Sequence, residues 1–225
     1  MEKTVLYIHG KGGSPEESGH YTPLFPGQEV LGLDYRASTP WEAGKEIRDA
    51  VKAMKMRGSQ ITLIANSIGA FFSMNAGIED AIRKAYFISP IVDMERLILD
   101  MMKDAGVTEA ALKAAGTIPV PSGEELSWEY LCYVRDHPVR WSVPTGILYG
   151  GKDALTSFET ISTFAKDHNA GLTVMESGEH WFHTEEQMSF LDEWIRKCES
   201  DDRLLRWEEF DGLSGTPDAE DIHRK

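Results

Sequence analysis

Six short apolar runs, at 4–8, 30–33, 61–65, 85–88, 145–149 and 172–175, alternate along the chain with longer segments of helical period. All but the run at 61–65 have Gly, Pro or Asp within two residues of an end. Strands this short and this apolar have no polar face to offer water, so they belong inside a mostly parallel sheet covered on both sides. The segments between them supply the crossovers and the cover. The order therefore predicts an α/β protein with a central sheet of about six strands and helices on both faces. At 225 residues the chain is long enough for one such domain and does not demand two.

The helices are announced by their starts. TPWE at 39–42 reads as a capping box with proline at the first helical position; Ile47, Val51 and Met54 then share a face, and Gly58 marks the stop. TSFE at 156–159 opens a second helix, with Phe158, Ile161 and Ala165 facing inward. TEEQ at 184–187 opens a third, with Met188, Leu191, Trp194, Ile195 and Cys198 inward. The rhythm breaks between about 93 and 143, where no strand is expected. There "MERLILDMMKDAG" and "SWEYLCYVRDHP" read as two helices, the second ended by Pro138, around "GTIPVPSGEE" with Pro119 and Pro121. This section is expected to be a helical insertion between two strands of a single domain over 1–198. An acidic tail is expected over 199–225, because "FDGLSGTPDAEDIHRK" lacks apolar periodicity.

Composition removes several classes of function. A formal net charge of −14 argues against nucleic acid, whose phosphates need concentrated Lys and Arg. No apolar run reaches the roughly 18 residues of a membrane span. The apolar stretch in "MEKTVLYIHG" is too short for a signal peptide, and Cys132 and Cys198 are the only cysteines, so a reduced, cytoplasmic protein is expected. "GKGGS" lacks P-loop order, "HWFH" is not His-Glu-x-x-His, and Cys and His do not cluster, so no metal and no cofactor are expected. Oligomeric state stays open.

One apolar run ends in a way that a plain strand does not require. In "ITLIANSIGAFF" the strand at 61–65 stops at Asn66 and Ser67, and small residues, Gly69 and Ala70, follow at once. A sharp strand-to-helix turn needs small neighbours. It also presents the serine hydroxyl at the carboxyl edge of the sheet, beside the amides of a helix start. The pentapeptide reads Ala-Asn-Ser-Ile-Gly where the usual spelling is Gly-x-Ser-x-Gly, and a serine that merely caps the helix is the other reading. Three further motifs follow other strands: "LYIHGKGGS", "ILYGGKDALTS" and "ESGEHWF".

On these four motifs the chain, over about residues 3 to 198, resembles the α/β-hydrolase family, and most of all its small bacterial cytoplasmic members with short caps. The resemblance implies a Ser-Asp-His triad of Ser67, Asp153 and His180, in the family's chain order. It implies an oxyanion hole from the backbone N–H groups of Lys11 and Ile68, and a cap formed by the inserted section. The chemistry assigns the roles: Ser67 attacks, His180 takes its proton, Asp153 fixes the imidazole tautomer, and the amides hold the developing oxyanion. Gly12 and Gly13 let the Lys11 loop bend towards a substrate.

The alternatives remain in view. Asp153 can instead serve only the helix that follows it, and Asp93, after the preceding strand, is the rival acid. His183 is the rival base, and His9 is read as a structural residue of the Lys11 loop. Lys11 can meet an anionic substrate or only water. Met94, Met101, Met102 and Trp128 can line an apolar acyl pocket or simply fill core. The expected function is a serine hydrolase of the carboxylesterase or thioesterase type (class EC 3.1), cleaving small-molecule esters or thioesters, with amidase activity open. The alternative is a non-catalytic small-molecule binder on the same fold.

Overall fold

The computed structural model describes residues 2–121 and 123–208. β1 (Lys3–Ile8) is followed by a 3-10 segment (Pro15–Leu24), β2 (Glu29–Gly32) and α1 (Pro40–Met56). β3 (Gln60–Asn66) leads into α2 (Ile68–Met74), and β4 (Ile82–Ile88) leads into the inserted section. That section holds α3 (Met94–Asp104), α4 (Glu109–Ala115), β5 (Thr117–Pro119), β6 (Glu125–Ser127) and α5 (Trp128–Asp136). The chain returns with β7 (Thr145–Gly150), α6 (Phe158–Asp167), β8 (Gly171–Met175), α7 (Glu185–Ser200) and a 3-10 turn at Asp202–Leu205.

The six expected strands form one sheet in the order β2-β1-β3-β4-β7-β8, every pair parallel. Ile8, Ala65, Phe87 and Ile147 lie level across its four central strands. The residues just beyond them, His9 and Gly10, Asn66 and Ser67, Ser89, and Gly150, therefore share one edge. Connections leave towards β2 on one side and towards β4 on the other, so the reversal of strand order falls between β1 and β3. A crevice opens at such a point because the two adjoining loops diverge.

Side chains alternate across the sheet and build two cores. Leu6, Ile8, Leu63, Ala65, Phe87 and Ile147 pack under α1, α2, α6 and the insertion. Tyr7, Ile64, Tyr86, Ile88 and Leu148 pack under the 15–24 segment and α7. Met94 and Met102 are buried in the first core, with Met101 and Trp128 packed against it, so these residues are continuous with the body of the protein.

Several expectations change. The insertion is not strand-free: β5 and β6 pair antiparallel, Ile118 opposite Leu126, with Leu126 buried. Three residues are too few to show a period of two, and proline is tolerated at the end of so short a ladder. α4 was not expected either, although Thr108 caps it through Ala111 N–H and Gly116 ends it at φ 78°. At α1 the Thr39 hydroxyl bonds the Glu42 carboxylate and caps no backbone amide. Ser157, not Thr156, caps α6, which leaves Phe158 at 51% exposure and not inward. The chain stays packed past 199: α7 runs to Ser200 and Leu205 is buried against the sheet. Residues 209–225 of the expected tail lie outside the described residues. Among the described residues no helix is long and apolar enough to cross a membrane.

Candidate active site

Ser67 occupies a backbone conformation that L-residues rarely adopt, φ 50° and ψ −121°. Strain of this kind persists only where the surroundings over-determine it. Here Ser67 N–H donates to Ile88 C=O on the neighbouring strand, while Ser67 C=O accepts from Ala70 and Ile91 N–H. Gly69 is required by close approach: a Cβ there would sit 2.4 Å from the His9 carbonyl oxygen. The turn after β3 is thus pinned between β4 on one side and the end of β1 on the other.

Ser67 Oγ lies 2.8 Å from His180 Nε2, and His180 Nδ1 lies 2.7 Å from Asp153 Oδ2. The Asp153 side chain is fully buried and that of His180 is 21% exposed. The other carboxylate oxygen, Asp153 Oδ1, accepts the N–H groups of Leu155 (2.7 Å) and Thr156 (3.2 Å). Those two bonds hold the carboxylate with Oδ2 turned to the imidazole. Tyr149 adds a second anchor by donating to Thr156 C=O, and burial, with the Asp153 charge second, pushes its phenol above the ordinary range.

The loops carrying the acid and the histidine are laced together. Gly151 N–H donates to Met175 C=O and Lys152 N–H to Gly178 C=O, each at 2.8 Å. Gly150 lies so close to the other loop that a Cβ would meet the Glu179 carbonyl oxygen at 2.4 Å. Any shift of one loop therefore carries the other with it.

Neither rival residue reaches this chain of bonds. Asp93 is exposed and accepts Arg96 N–H as the cap of α3. His183 bonds the Trp181 carbonyl through Nδ1 and stacks on the Trp181 ring. His9 bonds Gly10 C=O and stacks on Tyr35, whose hydroxyl donates to His9 C=O. Among the described residues neither Lys11 nor Ile68 donates its backbone N–H to a protein acceptor. Ile68 is the first residue of α2, where an unpaired amide is expected. The Lys11 ammonium pairs with Glu124, which lies between β5 and β6 of the inserted section. Among the described residues no group of three or more His, Cys, Asp or Glu is placed to hold a metal.

Behind the turn, Asn66, Tyr7 and Glu17 are joined by hydrogen bonds that no local motif announces. They lie 10 and 59 positions apart, so only the tertiary structure brings them together.

No family model matches the chain, and no curated protein sequence matches it. Its structure is similar to that of Est1E from Butyrivibrio proteoclasticus, with a TM-score of 0.69 at 17% identity over 89% of this chain and 88% of that one. Mouse alpha/beta hydrolase domain-containing protein 10 gives 0.65 at 14% identity, over 88% of this chain and 89% of the other. A soluble variant of monoglyceride lipase from Saccharomyces cerevisiae gives 0.58 at 14% identity, over 88% and 87%. At these identities the likeness is one of fold, and it extends over nearly the whole described chain.

Proposed function

The fold is that of the α/β-hydrolases, and we propose that the protein is a serine hydrolase that cleaves carboxylic ester or thioester bonds of small molecules through an acyl-enzyme. The observation that carries this reading is the unbroken Ser67–His180–Asp153 chain of bonds, built on a strained turn at the carboxyl edge of the sheet. A monoglyceride lipase among the similar structures is in keeping with ester substrates.

In this reading Ser67 Oγ–H donates to His180 Nε2 and gives up its proton as Oγ attacks the substrate carbonyl carbon. Asp153 Oδ2 accepts from His180 Nδ1–H, which keeps Nε2 free to act as base and stabilises the imidazolium that forms. The Lys11 and Ile68 N–H groups receive the negative charge that develops on the carbonyl oxygen. His180 then returns the proton to the departing alcohol or thiol. Water, activated by the same imidazole, hydrolyses the acyl-serine and releases the acid.

The test is labelling with an active-site-directed fluorophosphonate, paired with p-nitrophenyl esters of graded chain length and thioester analogues. The wild-type protein is expected to take up the label at Ser67, and Ser67→Ala is expected to lose both label and turnover while remaining folded. A folded wild-type protein that stays unlabelled and turns over none of the panel would sink the reading and favour a binding protein on the same fold.

A further inference from the structure

Three side chains with no part in that chemistry connect the two loops that would hold the oxyanion. Tyr7, fully buried on β1, donates its phenol to Glu17 Oε2. The same hydroxyl accepts from Asn66 Nδ2 at 3.0 Å. The second carboxylate oxygen, Glu17 Oε1, accepts Ser14 N–H at 3.3 Å. Ser14 ends the loop that carries Lys11, and Asn66 immediately precedes Ser67. One buried phenol therefore links the Lys11 loop to the Ser67 turn.

The direction of each bond follows from the groups. A carboxylate can only accept. Burial, then the neighbouring Tyr21 and Glu17, holds the Tyr7 phenol well above its usual range, so it stays protonated and donates. Its lone pairs are then left for Asn66, which sets the way that amide faces. The consequence is visible at the other end of the amide: Asn66 Oδ1 is buried and has no donor among the described residues. The phenol's single proton is committed to Glu17, so Asn66 can meet the hydroxyl only through Nδ2, and this fixes the amide's orientation. From above, the loop rests directly on the carboxylate, since a Cβ at Gly13 would lie 2.9 Å from Glu17 Oε1.

We propose that Tyr7, Glu17 and Asn66 are positioning residues that clamp the 10–14 loop to the Ser67 turn and so set the spacing of the Lys11 and Ile68 amides. The proposal rests on the hydrolase reading above. Two donors on separate loops that must converge on one oxygen need placing to within about 0.5 Å. The clamp supplies that constraint without touching substrate.

The test combines ester kinetics with the rate of fluorophosphonate labelling in Tyr7→Phe, Glu17→Ala, Glu17→Gln and the double variant Tyr7→Phe/Glu17→Ala. Tyr7→Phe is expected to lower kcat by about 100-fold with KM unchanged, because misplacement acts on the transition state. Glu17→Ala is expected to do the same, and Glu17→Gln, which keeps an acceptor, to recover most of the loss. The double variant should be no slower than the slower single variant, since both remove one connected unit. Glu17 is exposed, so its variants decide the matter if Tyr7→Phe does not fold. A folded Tyr7→Phe or Glu17→Ala protein with wild-type kcat overturns the proposal, as do losses that multiply in the double variant. An unreactive wild type overturns the hydrolase reading and this clamp together, a result plainly different from a reactive wild type with indifferent variants.

Discussion

Asp153 and Asp93 leave neighbouring strands, β7 and β4, at the same edge of the sheet, and their carboxylates are used in opposite ways. Asp93 spends Oδ1 on Arg96 N–H and becomes the cap of α3, exposed to water. Asp153 spends Oδ1 on Leu155 and Thr156 N–H, stops short of the helix, and keeps Oδ2 for His180. What releases it is Ser157, which takes over the capping of α6 through Thr160 N–H. One loop asks a single aspartate to start its helix. The other divides that task between two residues and gains a buried carboxylate with one oxygen uncommitted to the backbone. Proximity to a strand end does not distinguish the two; the extra capping residue does.

The largest effects should fall on the imidazole that reads this difference. His180→Ala is expected to lower kcat by about 10⁴-fold or more, and His183→Ala by less than about tenfold, because members of a triad act as a unit. Ester turnover at saturating substrate measures both. The reverse ranking would move the base to His183 and leave Asp153 without a partner. Asp153→Asn comes next, with an expected loss of about 10⁴-fold in kcat from the wrong imidazole tautomer at nearly unchanged shape. Asp93→Asn is expected to leave kcat within about tenfold, the level of an indirect effect through α3. If both asparagine variants were equally slow, the contrast between the loops would be void.

How far the sequence could reveal this varies along the chain. All six sheet strands were legible because each is a short, mostly apolar run; burial on both faces accounts for the four central ones, while the edge strands β2 and β8 are only partly buried. Ser67 was legible because Gly69 and Ala70 after a strand advertise a close approach, and the structure supplies the neighbour, His9 C=O. That Asp153 and not Asp93 stands beside His180 had no signal beyond the ILYGGKDALTS motif, since both aspartates follow neighbouring strands. The TSFE run hid the decisive detail, since it placed the cap one residue early, on Thr156. In the insertion, β5 and β6 were too short to show alternation. The Tyr7–Glu17–Asn66 chain was invisible for a different reason: its members sit on three elements, and a tyrosine in a strand is ordinary until its hydroxyl has a partner.

Stability should reverse the order expected for activity. Asp93→Ala removes a helix cap and is expected to cost about 1 kcal/mol in urea unfolding while sparing kcat. Asp153→Asn retains a carbonyl oxygen for Leu155 and Thr156 N–H and should cost less than that. A large stability loss in Asp153→Asn with little loss of turnover would mean that the buried carboxylate serves the fold and not the imidazole.

The smallest effect tests whether the two loops are mechanically separate. Arg135 on α5 bonds Glu95 on α3 through Nε and takes Glu109 on α4 with both terminal nitrogens, so one guanidinium ties the three helices of the insertion together. Those carboxylates hold its proton above even the usual arginine range. All three side chains are substantially solvated, and surface ion pairs contribute little to global stability. Arg135→Met, which keeps much of the stem's packing, is therefore expected to lower Tm by no more than about 2 °C. Its effect should appear locally, as faster amide hydrogen exchange over 94–136 with protection in β3, β4 and β7 unchanged. Because the Asp153 loop is laced to the His180 loop and is joined to the β4–α3 connection through Thr156 Oγ1 on Pro90 C=O at 3.4 Å, a contact that does not involve Arg135, kcat should hold within about twofold, the scale of a surface change. A loosened insertion that also slowed turnover would show that α3, and with it Asp93, bears on the placement of the site.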